Sequence, residues 1–176
     1  MKKRWPIAAL ALVTSLFLLF GGFWGYQYFQ IEKPIRQLID QDPHLSFGEI
    51  SVQPDLVIVE LQPSKDFSLI DDYVPLREKL KKFSQSRKLK VALRDNPDLL
   101  LKKSWNEMVF GVEEGMALHH YQSIPKSVER VSKSRGIDYD LGIDGSFILI
   151  ELRHKKQRLY KVLPLNQSES GVKVND

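Results

Sequence analysis

The stretch VEEGMALHHY at 112–121 contains the residues best suited to chemistry, Glu113 and Glu114 followed by His119 and His120. Carboxylates and imidazoles hold metal ions or transfer protons when they project from one face of an element. The surrounding apolar residues predict a helix, in which residues three or four positions apart are neighbours. No carboxylate and imidazole stand at that spacing here. Glu113 and His120 do align, but about 10 Å apart along the axis, which is too far for one ion to bridge.

The apolar residues of the same helix favour a structural role for this stretch. They recur at helical spacing: Leu101, Trp105, Met108, Val112 and Met116. Because His119 continues this stripe, we expect it to be a packed or hydrogen-bonded core residue. Gly111 and Gly115 share one helix face, and glycine costs up to about 1 kcal/mol relative to Ala in a helix. We therefore expect close packing of this face on the sheet or on a partner.

Other motifs for chemistry are incomplete. The stretch DYDLGIDG at 138–145 carries three acids, but a calcium loop starting at Asp138 needs Gly at its sixth position and Glu at its twelfth, where Ile143 and Leu149 stand. The sequence has no phosphate-binding glycine loop, no Gly-x-Ser-x-Gly and no His-Glu-x-x-His. We therefore predict no catalytic residue, no metal ligand and no cofactor. A pair of acids distant in sequence, as in cell-wall hydrolases, stays open.

Positive charge is concentrated between residues 77 and 90. Seven basic residues there are opposed only by Glu78: Arg77, Lys79, Lys81, Lys82, Arg87, Lys88 and Lys90. A second basic group follows later in the chain: Arg153, Lys155, Lys156, Arg158 and Lys161. Such charges form either ordinary solvated surface or a docking surface for an acidic protein, an anionic wall polymer or lipid headgroups.

The overall charge does not indicate a nucleic-acid partner. The net charge of +4 comes from 26 Lys and Arg against 22 Asp and Glu. Three of the positive residues lie at positions 2–4, which leaves 23 against 22 for the rest of the chain. The body of the protein is therefore nearly neutral, unlike a nucleic-acid-binding domain.

The N-terminal segment is typical of a membrane anchor. The flank at 1–4 contains Lys-Lys-Arg, and no charged residue follows until Glu32. An apolar run of about 20 residues crosses a bilayer, and Trp5 and Trp24 would stand about 28 Å apart on a helix, as aromatic residues do at the two membrane surfaces. The basic flank predicts a cytoplasmic N-terminus. We therefore expect a transmembrane signal-anchor helix at 5–29 that crosses the plasma membrane once.

A cleaved signal peptide is the competing interpretation of this segment. The apolar run ends in the bulky sequence GGFWGYQYF instead of a small-x-small cleavage site, which favours an uncleaved anchor. The chain has no cysteine, so lipid attachment, disulfides and thiolate sites are excluded. A disulfide-free outer domain is typical of a bacterial envelope. Gly21 and Gly25 form a GxxxG pair that can pack two membrane helices, which leaves a homo-oligomer open.

The remaining periodicities predict an extracytoplasmic α+β domain at 30–163 and a polar flexible tail at 164–176. The predicted order is α-β-β-α-β-α-α-β-β-β, folded as a small mixed α/β sandwich. A bulge is expected at Gly48-Glu49 because the alternation of apolar residues changes parity there. A helix at about 71–85 is expected to be capped by Asp71 or Asp72.

The order of elements is similar to that of small envelope modules. The first five elements after the anchor are similar in order to BON and ring-building domains, and the strand at 88–95 with its successors to POTRA domains. This likeness of order implies an interaction domain. We therefore expect a membrane-anchored, non-catalytic interaction or assembly protein of a bacterial cell-envelope complex. A membrane-anchored wall-active enzyme and a small-ligand-binding or sensor module are the alternatives.

Overall fold

The structure, a computed structural model, describes residues 5–165. It consists of a long apolar helix, two three-stranded sheets and four further helices. The α+β class and the predicted order of elements are confirmed. The basic flank at 1–4 and all but two residues of the predicted tail at 164–176 lie outside the described residues. Pro164 ends the last strand, and the N–H of Leu165 donates to the carbonyl oxygen of Ser146 at 2.8 Å, so both belong to the fold.

The apolar helix runs without interruption into the folded domain. Helix α1 (Trp5–Gln27) continues through a π-helical turn (Tyr28–Glu32) into helix α2 (Lys33–Asp40). The segment Ala9–Asp40 is long and apolar enough to cross a membrane, and none of its most apolar part is buried inside the protein. The amphipathic helix expected after the anchor is thus its direct continuation.

The first sheet contains strands β1 (Leu45–Val52), β2 (Leu56–Pro63) and β3 (Lys88–Leu93) in that order. Strand β2 pairs antiparallel with β1 and parallel with β3. The predicted bulge is confirmed, because the pairing register shifts between Phe47 and Glu49. A Cβ at Gly48 would stand 2.7 Å from the carbonyl oxygen of Glu60, so only glycine fits this irregular position.

Helix α3 (Leu69–Lys81) connects β2 to β3 and packs with α2 on one face of the first sheet. Its N-cap is Ser68, whose hydroxyl accepts from the N–H of Asp71, and the carboxylate of Asp72 accepts from the N–H of Ser68. The expected cap at Asp71 or Asp72 was therefore wrong by one turn. This reciprocal arrangement resembles a capping box, except that the acid that accepts from the N-cap N–H is one residue further into the helix than usual.

The second sheet is the antiparallel meander of β4 (Asp138–Ile143), β5 (Phe147–His154) and β6 (Gln157–Pro164). Helices α4 (Leu99–Ala117) and α5 (Ser123–Arg135) precede it and pack on one of its faces, against Ile148, Ile150 and Leu152. The other face, with Phe147 and Leu149, joins the core of the first sheet. The central strand β5 is therefore buried on both sides.

Aromatic contacts and a buried carboxylate join the second sheet to α3 and to the segment just before it. The ring of Tyr73 meets that of Phe147 edge-on at 5.9 Å between centroids, and Phe67 meets Tyr160 at 6.3 Å. The carboxylate of Glu151 is 1% exposed and lies 3.5 Å from the N–H of Leu69, the first residue of α3. The second sheet is thus fixed against the part of the domain that continues from the apolar helix.

The six described strands form two separate sheets and not one continuous sheet. Among the described strands, β3 pairs with β2, and β4 pairs with β5. The POTRA-like order that begins at β3 is therefore split between two sheets, and that likeness does not extend to the pairing. The first five elements after α1 do form one sheet with two helices on one face.

Candidate functional site

The histidine pair of the opening stretch forms a helix cap. Helix α4 ends at Ala117, and His119 adopts a left-handed backbone conformation with φ of 54°. The N–H of His120 donates to the carbonyl oxygen of Gly115, and that of His119 to Met116. These two bonds define a Schellman cap. Both imidazoles are exposed, so the expectation of a core residue at His119 was wrong, because the helix ends before the apolar stripe reaches it.

The two glycines of α4 lie against α5. A Cβ at Gly111 would stand 2.2 Å from the Oγ of Ser127, and one at Gly115 would stand 2.6 Å from Cγ1 of Ile124. Each distance is far below ordinary van der Waals contact. The glycines therefore allow close packing between two helices of the same chain, whereas the sheet or a separate partner was expected.

The seven basic residues between 77 and 90 do not form one surface. Arg77 is only 8% exposed, and its guanidinium lies 4.7 Å from the ring centroid of Phe147. It therefore stabilises the junction with the second sheet and is not a docking residue. Lys79 lines a groove together with acidic residues, and Lys90 is half-buried on β3.

The remaining four surround the loop after α3, and we call Lys81, Lys82, Gln85, Arg87 and Lys88 together the Gln85 surface. Within residues 5–165, the ammonium groups of its three lysines form no ion pair or hydrogen bond. The guanidinium of Arg87 donates to the backbone carbonyl of Gln53 and to the amide oxygen of Gln85. The end of α3, the loop after it and the start of β3 thus carry three exposed lysines whose ammonium groups have no bonded partner among these residues.

The Gln85 surface touches the apolar helix. The amide nitrogen of Gln85 donates to the hydroxyl of Tyr26 at 3.3 Å, and Tyr26 lies near the end of α1. Gln85 has φ of 57°, a left-handed conformation that is costly for a residue with a side chain. Ser84 beside it is fully buried, and its hydroxyl donates to the carbonyl oxygen of Lys81. Local bonds thus hold the loop against the helix.

Charge changes sign along α3. Its first turn contains Asp71 and Asp72, and its last turn contains Lys79 and Lys81. The acidic end lies beside the end of α2, where both helices line a groove of about 410 Å³. The basic end leads to the Gln85 surface beside α1. Since α3 has 13 residues, the two ends are about 18 Å apart.

The acidic groove brings together three carboxylates and His44, but each carboxylate accepts a hydrogen bond from a residue two to four positions away in the chain. Asp42 accepts from the N–H of His44, Asp72 accepts from the N–H of Ser68, and Asp71 accepts from the Ser68 hydroxyl. The described residues include no group of three or more His, Asp or Glu positioned to hold a metal ion. The groove therefore offers polar contacts and no assembled metal centre.

The second basic group is largely engaged in the fold. Arg158 donates to Glu151 at 2.7 Å and to the carbonyl oxygen of Lys65, and Arg153 pairs with Asp140. Lys161 lies 5.2 Å from the ring of Trp105. Lys155 and Lys156 remain exposed. Because Arg158 reaches the segment just before α3, this group lies at the end of α3 opposite the Gln85 surface.

A polar groove of about 280 Å³ adjoins the second basic group and includes Asp95, Arg158 and Tyr160. Burial raises the pKa of the Asp95 carboxyl and that of the Tyr160 hydroxyl. Nearby, Asp98 caps α4 and lies 2.6 Å from Nδ1 of His154. The hydrogen bond from the N–H of Leu101, followed by that from His154, lowers the pKa of Asp98.

No protein-family model, curated protein or solved structure matches this chain.

The contact between Tyr26 and Gln85 was not predicted from the sequence. The two residues are 59 positions apart, and neither the aromatic residues at the end of α1 nor the basic loop indicates the other. One signal was present. The helical pattern of α2 starts where the apolar run ends, which indicates an anchor joined to the domain without a linker.

Proposed function

We propose that this chain is a membrane-anchored, non-catalytic interaction or assembly protein of a bacterial cell envelope. Helix α1 would cross the plasma membrane once with its N-terminus in the cytoplasm, and the α+β domain would lie on the outer side. The basic flank at 1–4 supports this orientation. The domain would contact another envelope protein or an anionic wall polymer, and a second copy of the chain is a further option through Gly21 and Gly25.

The continuous helix is the observation that carries the proposal. Ile31 in the π-helical turn and Ile35 and Ile39 in α2 are fully buried in the domain core, whereas α1 exposes its apolar side chains. A flexible linker would let the domain move freely. A helix shared between anchor and core instead fixes the height and direction in which the domain presents its surfaces.

An exposed face of α4 is suited to contact a protein partner. The ring of Phe110 is 77% exposed, and Leu99 on the same side of the helix is 67% exposed. Large exposed apolar side chains contribute strongly to binding when a partner covers them. Strand β1 also lies at an edge of the first sheet, where β-strand addition is a common mode of recognition.

Site-specific photo-crosslinking in cells tests the proposal. A photoreactive amino acid would replace Phe110 on α4, Ser46 on β1, or, as a control on neither element, the exposed Lys156 in the turn between β5 and β6. We expect a discrete crosslinked product from Phe110 or Ser46 and none from Lys156. Absence of a product at Phe110 and Ser46 in membranes that contain the intact chain would contradict the assembly role.

The acidic groove supports a second candidate, a membrane-anchored enzyme acting on the cell wall. Paired carboxylates cleave glycosidic bonds, and Asp42 lies in the same groove as Asp71 and Asp72. Release of soluble fragments from peptidoglycan by the purified chain, lost in Asp42→Asn and kept in Lys156→Gln, would establish this activity.

A further inference from the structure

We infer that the Gln85 surface binds the phosphate groups of anionic phospholipids in the leaflet from which α1 emerges. This inference rests on the proposed function, because it requires α1 to lie in the bilayer. An acidic protein and a soluble anionic polymer are the other partners that such a basic surface could bind.

The position of Tyr26 along α1 determines where the Gln85 surface lies relative to the bilayer. The hydrocarbon core of a bilayer is about 30 Å thick, which 20 helical residues span, and each headgroup layer adds about 5–8 Å. Counting 20 residues from Trp5 places the far boundary at Trp24, and Tyr26 lies about 3 Å beyond it. The hydroxyl of Tyr26 is bonded to Gln85. The Gln85 surface therefore lies within the headgroup layer.

The exposed side chains at this level suit a lipid surface. Trp24 is 75% exposed and Phe29 is 62% exposed, and aromatic rings favour the boundary between hydrocarbon and headgroups. Lys81, Lys82 and Lys88 belong to the Gln85 surface, which reaches this level of the helix through the bond between Gln85 and Tyr26. A lysine is a flexible point charge that suits phosphate oxygens. Two exposed acids are nearby. Glu78 lies one helical turn before Lys81 and Lys82 and pairs with Arg77 at 3.6 Å, and Asp55 lies in the adjacent turn between β1 and β2, where its backbone carbonyl accepts from the N–H of Lys88.

The direction of charge along the domain also favours the lipid over other anions. The acids of α3 lie at the end away from α1, and the free lysines lie at the end beside it. The field of an anionic leaflet falls off within a screening length of about 8–10 Å, so it attracts the Gln85 surface and does not reach the exposed lysines at the far end, Lys65, Lys155 and Lys156. A soluble polyanion would have to enter the narrow space between the domain and the bilayer to reach the same charges.

The absence of cysteine permits a direct test on the full chain. Ser86 is exposed in the loop, and Ser86→Cys would carry a nitroxide label. The labelled chain would be inserted into vesicles of phosphatidylcholine alone or with about 30% phosphatidylglycerol. Salt would be varied from about 0.01 M to about 1 M, which shortens the screening length from roughly 30 Å to roughly 3 Å. Electron paramagnetic resonance would measure collisions of the label with a water-soluble nickel chelate.

Two matched sets of variants accompany the label. The test set replaces Lys81, Lys82 and Lys88 by Gln. The control set replaces three exposed lysines at the opposite end of α3, Lys65, Lys155 and Lys156, by Gln. Both sets remove three charges, so a difference between them cannot come from net charge.

We expect phosphatidylglycerol to lower the collision rate severalfold at low salt, in the wild type and in the control set. High salt or the test set should abolish this effect. Equal collision rates in the two vesicle types would overturn the inference, as would equal loss of the effect in both sets. Protection of the label by polyphosphate in phosphatidylcholine vesicles, without protection by phosphatidylglycerol, would reassign the surface to a soluble polyanion.

The same samples separate this inference from the proposed function. Resistance of the chain to alkaline carbonate extraction measures the insertion of α1. An extracted chain would refute the anchor itself. An inserted chain whose label does not respond to phosphatidylglycerol would refute only the lipid contact, and the domain would still be available to a protein partner.

Discussion

Removal of the buried charge of Glu151 should destabilise the junction between the second sheet and the start of α3. The Glu151 side chain is 2% exposed and lies 2.7 Å from the Arg158 guanidinium, which is 22% exposed. Loss of one partner of a buried pair costs about 3–5 kcal/mol. Arg158 keeps some access to water and the carbonyl oxygens of Lys65 and Phe67. We therefore expect Glu151→Gln to lower the free energy of unfolding by about 2–4 kcal/mol.

Urea unfolding of the full chain in detergent, followed by circular dichroism, measures this loss. The matched control is Glu60→Gln, which removes the pair with Arg94, whose side chain is 58% exposed, and such exposed pairs contribute less than about 1 kcal/mol. The double variant Glu151→Leu and Arg158→Met removes both charges and should recover most of the loss. Equal costs for Glu151→Gln and Glu60→Gln would refute the role of Glu151 as the junction.

Three further variants test individual features of the fold. His119→Gly should raise the free energy of unfolding by up to about 1 kcal/mol, because glycine adopts the left-handed backbone conformation without strain. His120→Ala should change the free energy of unfolding little, and urea midpoints distinguish the two variants. Gly115→Ala should cost up to about 2 kcal/mol, because an overpacking penalty of about 1–3 kcal/mol against Ile124 offsets the gain of about 1 kcal/mol in helix propensity. Urea unfolding measures the change, and a gain in stability would contradict the packing. The lowered pKa of Asp98 stabilises the fold above the unfolded-state pKa, and this contribution is lost as pH falls through the folded-state value. Asp98→Asn, which can still cap α4, should therefore flatten the fall of stability below about pH 4 in an acid titration, and an unchanged profile would contradict this role.

Local patterns in the sequence were sufficient to predict the elements. Alternation and helical spacing gave the order of helices and strands, and the change of parity near Gly48 located the bulge. These features depend on residues close together in the chain. The N-cap of α3 was misplaced because Ser68 precedes two acids, each of which could also have been the cap.

Long-range contacts decide the features that the sequence did not reveal. Arg77 belongs by position to the basic run at 77–90. Its guanidinium nevertheless packs on Phe147, which is 70 residues away in the second sheet. The division of six strands between two sheets likewise depends on which edges meet. The Gln85 surface is distinct because Arg77 is buried, Lys79 lies in the acidic groove and Tyr26 contacts Gln85. No periodicity in the sequence encodes these relations.

The most direct test of a domain fixed to the outer side of the membrane is cysteine accessibility in living cells. The cysteine-free chain would carry either Lys3→Cys in the N-terminal flank or Lys156→Cys in the exposed hairpin, and a membrane-impermeant maleimide would be added to intact cells, with the outer membrane opened if there is one. We expect Lys156→Cys to react in intact cells and Lys3→Cys to react only after the plasma membrane is permeabilised, with the chain retained at full length in the membrane fraction. The opposite labelling pattern, or recovery of a shortened soluble chain without α1, would contradict the proposed anchor.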